Sequence, residues 1–154
     1  MKAFQGLFLC AVIAVSGACS KPLSEEDQIR AAVGGLEAAA RARDVKALKE
    51  FIADSYSDSQ GNKKSDVGAL AAYYFLQHPQ VHVLTRIVSL EIAEAGKAQV
   101  QLVAALAGTA FSSAEELAKL SADLYRFDFT LALEDKDWRI TGAAWRPASP
   151  SDLF

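Results

Sequence analysis

The hydrophobic period changes once along this chain, and that change limits the fold more than any other feature. From Ile29 to His78 apolar residues recur every three or four positions, as one face of a helix requires. From Val81 to Trp145 they tend to alternate with polar ones, as a half-buried strand requires. Helices first and hairpin-linked strands afterwards predict an α+β fold, with N-terminal helices gathered on one face of an antiparallel sheet.

Local signals place the elements. Ser24 followed by Glu25, Glu26 and Asp27 has the form of a capping box. It predicts a first helix to about Arg43, with Ile29, Ala32, Val33, Leu36, Ala39 and Ala40 on one face. Gly34 and Gly35 inside it cost about 1 kcal/mol each against alanine, so a close contact or a bend is expected there. Asp44 caps a short second helix carrying Val45, Leu48, Phe51 and Ile52, and residues 55–62 read as a polar turn centred on Gly61. Ser65 or Asp66 caps a third helix bearing Val67, Leu70, Ala71, Tyr74, Phe75 and His78, which Pro79 stops. Strands follow over 81–92, 98–106, 126–134 and 138–146, with turns at 95–97 and 135–137 and a helical turn at 113–117. Gly142 marks a bulge in the last strand.

The N-terminus has its own pattern. Lys2, the apolar run from Leu7 to Val15 and the small residues Ser16, Gly17 and Ala18 form a secretory signal peptide over residues 1–18. The small trio before Cys19 resembles the lipobox of bacterial lipoproteins, which implies that the Cys19 thiol is acylated, by palmitate-like chains, and becomes the new N-terminus. At about 0.8 kcal/mol per buried CH₂, several acyl chains hold a protein at a bilayer without a membrane-spanning helix. By resemblance to enterobacterial sorting rules, Ser20 after the cysteine implies the outer membrane, facing the periplasm, so the expected location is the bacterial cell envelope. On this reading residues 19–23 are a tether, 24–147 the folded domain and 148–154 a loose C-terminal tail. Cys10 leaves with the signal and Cys19 is the anchor. The domain then has no thiol for a disulfide, a thiolate nucleophile or a cysteine-ligated metal.

The net charge of −3 gives nucleic-acid binding no support, and no run after residue 20 reaches the roughly 18 apolar residues of a membrane span. Serine nucleophile elbows, phosphate-cradling glycine loops and cofactor motifs are missing, so no cofactor is expected.

Phe51-Ile52-Ala53-Asp54-Ser55-Tyr56-Ser57-Asp58 followed by Gly61 resembles a motif of the nuclear transport factor two-like (cystatin-like) superfamily, and Trp138-Arg139-Ile140 with Trp145-Arg146 is similar to its terminal strand. The resemblance covers residues 25–147. It implies a cone, in which a curved antiparallel sheet wraps a long N-terminal helix and leaves a central pocket. The superfamily includes ketosteroid isomerases, dehydratases, polyketide cyclases and protein-binding transport factors, so the resemblance implies the fold and leaves the chemistry open.

Within such a pocket, Tyr56, Tyr73, Tyr74 and His78 could place polar tips among apolar walls. Arg86, with His82, shares a strand side with Leu84 and Val88; were that side to face the cavity, its guanidinium could hold a ligand carboxylate. Were the Val81, Val83 and Ile87 side to face it, both would point to solvent. Asp128 is a candidate catalytic carboxylate, but alternation sets it opposite Phe127 and Phe129. His78 and His82 have no neighbours at metal-ligand spacing, so no metal is expected. The expected function is a lipid-anchored binding or accessory module for a small apolar molecule or an envelope protein. The alternative is an enzyme of the isomerase, dehydratase or cyclase kind using a pocket Tyr, His or Asp. A homodimer through the outer sheet face is a further expectation.

Overall fold

Ser24 accepts a hydrogen bond from the Asp27 amide at 3.1 Å and opens α1, Glu25–Arg41. The computed structural model describes residues 22–120 and 122–153. The expected signal peptide and Cys19 lie outside the described residues. α2, Val45–Glu50, starts where Asp44 accepts from the Ala47 amide at 2.9 Å. Between the two helices Arg43 takes a left-handed φ of 57°, unusual for a residue with a β-carbon. Its guanidinium donates to the carbonyls of Phe75 and Pro79, at the end of α3 (Lys64–Gln77), where a cation also complements the helix dipole. α3 begins after Lys63, whose amide donates to Asp66 at 2.8 Å; Asp66 is therefore the residue reaching back to the cap and not the cap itself. His78 ends the helix with an extended backbone, as a residue preceding proline prefers.

The sheet contains β1 (Ile52–Asp58), β2 (His82–Glu94), β3 (Lys97–Ala107), β4 (Asp123–Glu134) and β5 (Asp137–Pro147), in the order β1-β5-β4-β3-β2. Gly96, at φ 77°, turns β2 into β3. Asp135 and Lys136, both at positive φ, turn β4 into β5 in the sense that hairpin twist favours. The register between β4 and β5 slips between Thr130 and Leu131, opposite Thr141, so the bulge expected at Gly142 sits beside it.

Two expectations are corrected. The segment read as a polar turn over 55–62 begins in a strand: β1 lies parallel to β5, with Ile52 beside Ile140 and Asp58 beside Ala143. The sheet is therefore mixed and not purely antiparallel. β1 is an edge strand with Asp54 and Ser55 exposed, so its sequence lacks the apolar alternation of an inner strand. The segment read as a loose tail holds a helix among its described residues. Pro150–Leu153 forms α5, and buried Leu153 packs with Leu117 of α4 (Ala114–Lys119) against Val103 and Ala105 on the outer face of the sheet. Arg86 donates to the Asp152 carbonyl at 3.2 Å and helps to hold α5 there.

The main core lies on the opposite face, where α1 covers the sheet: Ile29 and Val33 are buried with Val100, Leu131, Trp138 and Ile140. Of the two α1 glycines, only Gly35 is needed for contact, because a Cβ there would overlap the Phe51 ring, whereas one on exposed Gly34 would meet nothing within 4 Å. Gly34→Ala should therefore stabilise the domain by about 0.5–1 kcal/mol through helix propensity, while Gly35→Ala should destabilise it. Urea unfolding of the two variants reads both signs; equal shifts would show that α1 does not approach Phe51.

Candidate functional site

Sheet and helices enclose a cavity of about 480 Å³, within the range of small-molecule sites. Its floor is the inward side of β3 and β4, with Leu102, Ala104, Tyr125, Phe127 and Phe129, joined by Ala143 and Trp145 of β5. α1 supplies Val33, Leu36, Glu37 and Ala40, and α3 supplies Val67, Leu70, Ala71, Tyr73, Tyr74 and Phe75. The sheet wall is aromatic: Phe127 stands 5.3 Å from Phe129, 6.1 Å from Tyr125 and 6.4 Å from Trp145 between ring centroids. These are ordinary spacings for aromatic contacts.

The polar groups are few and specific. Tyr56 of β1 is buried, and Tyr74 of α3 donates its hydroxyl to Asp123 at 3.2 Å. Burial, reinforced by the charge of Asp58, pushes the Tyr56 phenol up to about 12. Burial, reinforced by Asp123, does the same for Tyr74, also to about 12. Both phenols thus stay protonated across the physiological range and act as donors.

Three carboxylates reach the cavity, and two of them are heavily committed. Glu37 pairs with Arg41 and accepts from both the amide and the hydroxyl of Thr85, tying α1 to β2. Asp58, only 8% exposed, accepts from the Gln60 amide, the Asn62 amide and the Asn62 side chain at 2.8–2.9 Å. Burial alone would push its carboxyl up; the hydrogen bonds from Asn62 and Gln60 outweigh that and hold it below the usual carboxylate range. Asp123 is exposed at the rim with Tyr74 as its one side-chain partner among the described residues.

Tyr56, Tyr73 and Tyr74 all line the cavity, Tyr73 at the rim with 65% exposure. His78 stands behind Tyr74 and does not line it. Its ring stacks on the Tyr74 ring at 4.0 Å, and its Nδ1 lies 2.9 Å from the Tyr74 carbonyl. Two further candidates stand off the cavity, Arg86 on a side the sequence left open and Asp128 where alternation sets it. Arg86 is on the outer face with His82 and Leu84, opposite Val103, because the β2–β3 register turns Val83 and Thr85 inward. Asp128 is also on the outer face, paired with Gln101 and Ala144, so it is no catalytic group for this cavity.

Glu37, Asp58 and Asp123 were not singled out from the sequence, though each carried a signal. Glu37 shares a helical face with Val33, Leu36 and Ala40, and Asp123 stands two residues before Tyr125 in the alternation that continues to Phe127 and Phe129. Asp58 is in phase with Tyr56 once β1 is recognised as a strand. Among the described residues, no group of three or more His, Cys, Asp or Glu side chains could hold a metal ion, and no helix is long and apolar enough to cross a membrane.

No family model matches the sequence, and no curated protein does. Solved structures do match. A candidate scytalone dehydratase from Novosphingobium aromaticivorans superposes with a TM-score of 0.67 at 10% identity, over 80% of this chain and 84% of its own. A domain of unknown function with a cystatin-like fold from Nostoc punctiforme gives 0.64 at 12% identity, over 83% and 80%. A candidate dehydratase of the nuclear transport factor two-like family from Streptomyces avermitilis gives 0.62 at 13%, over 80% and 96%. At such identities the likeness concerns architecture, and it agrees with the helices-on-sheet topology above: the chain has the nuclear transport factor two-like, cystatin-like cone fold.

Proposed function

We propose that this chain is a lipid-anchored protein of the bacterial cell envelope whose cavity binds a small, mainly apolar molecule. The observation that carries the binding reading is the state of the cavity's carboxylates. An acid–base enzyme needs a carboxyl poised near its working pH, usually raised by a dry site. Here the buried one, Asp58, is held low by donors that also fix the β1–α3 turn, and Glu37 is locked by Arg41 and Thr85. What remains is an aromatic chamber with the Tyr56 phenol inside it and the Tyr74–Asp123 pair at its rim, which suits orientation of a ligand.

N-phenyl-1-naphthylamine, a neutral dye that brightens in apolar surroundings, tests the cavity. Its fluorescence should rise with the intact protein, and Ala40→Leu, which fills the cavity from α1, should weaken binding about tenfold or more. No enhancement, or identical binding by the folded variant, would defeat the proposal. The anchor is tested separately. Cys19→Ala should move the protein from the membrane fraction to the soluble periplasm, and unchanged attachment would remove the lipoprotein reading.

A second reading, an enzyme of the dehydratase or isomerase kind, is favoured by one contact: the Tyr74–Asp123 pair at the rim joins a protonated phenol to a carboxylate. Two of the similar structures are also named as candidate dehydratases.

A further inference from the structure

The charges that line the cavity are all of one sign. Glu37, Asp58 and Asp123 reach it, and among the described residues no Lys, Arg or His side chain does. Glu37 is neutralised by Arg41, but Asp58 and Asp123 have no ion-pair partner among the described residues. Arg86, the cation that the sequence offers for an anionic ligand, stands on the other face of the sheet. Between these carboxylates runs the aromatic wall around Phe127, with Tyr125 and Trp145 in contact with its ring. Ring faces attract a cation through their quadrupole, at an exposed rim as well as in a dry interior. An anion brought into the same apolar space would lose its hydration and meet only like charge.

We propose that the cavity selects a lipophilic organic cation, an apolar body of small-molecule size bearing an amine or quaternary ammonium group, and excludes the equivalent anion. The ammonium group sits toward Asp123 and the tyrosine rim, and the apolar body lies along Phe127 and Leu102. This inference rests on the binding reading above and names its ligand class.

The test is displacement of N-phenyl-1-naphthylamine from the full chain at low ionic strength by three ten-carbon probes that differ only in their head: decyltrimethylammonium, decanol and decanoate. The cation should displace the dye at a concentration at least about tenfold below that of decanoate, with decanol between them. Asp123→Asn, an exposed position where folding is not at stake, should narrow the cation-to-decanol ratio about threefold or more. Equal potency of cation and anion, or a ratio unmoved by Asp123→Asn, would overturn the cation preference while leaving the cavity as a binding site. Failure of the dye itself to bind would remove the binding reading, and this inference with it.

Discussion

Leu131→Ala should lower stability by about 2–5 kcal/mol, read as a shift of the urea midpoint with the slope unchanged. Leu131 is 2% exposed on the inward side of β4. It closes the narrow end of the cone with Ala32, Val33 and Leu36 of α1, Phe51, and Trp138 and Ile140 of β5. Truncation there removes a buried side chain where α1, β4 and β5 meet, and a packed strand pair cannot collapse to fill the space. Leu133, two residues along the same strand and 39% exposed, provides the comparison: Leu133→Ala should cost well under half as much. Similar costs at both positions would mean that α1 does not seat on the sheet, and the cavity above would lose its roof.

Asp58→Ala should cost about 1–3 kcal/mol, because the Gln60 and Asn62 amides and the Asn62 side chain would lose the acceptor that folds the turn between β1 and α3. The same carboxylate predicts a pH dependence. Its folded-state pKa lies below the ordinary value of 3.8, so its contribution is fully present above that value and is lost as the pH falls below it, through the folded pKa. Stability of the native protein measured from pH 6 downward should therefore fall below about pH 4, and Asp58→Asn, which cannot titrate, should flatten that fall. An unchanged acid limb would show that Asp58 is not held as described.

Much of this architecture could be read from local chemistry. Ser24, Asp44 and Pro79 mark helix boundaries through caps and a missing amide, which act over three or four residues. Phe127 and Phe129 share a face through strand geometry alone, so that part of the aromatic wall was legible, while Tyr125 lies one residue before the expected strand. What could not be read depends on partners distant in sequence. β1 pairs with a strand more than eighty residues away and, at the sheet edge, needs few apolar residues of its own. Arg86 faces away from the cavity because Val83 and Thr85 are turned inward, a choice fixed by the register against β3 and by Glu37 reaching Thr85 across from α1. Leu153 has no periodic context in a seven-residue tail, and only the groove between Leu117 and Val103 makes it a core residue.

The cavity carries the functional account, and native mass spectrometry of the protein purified from its own host probes its occupancy most directly. Wild type should carry an adduct of about a few hundred daltons, sized to a cavity of about 480 Å³, that Ala40→Leu lacks. Bare protein in both spectra, or the same adduct on both, would contradict the account.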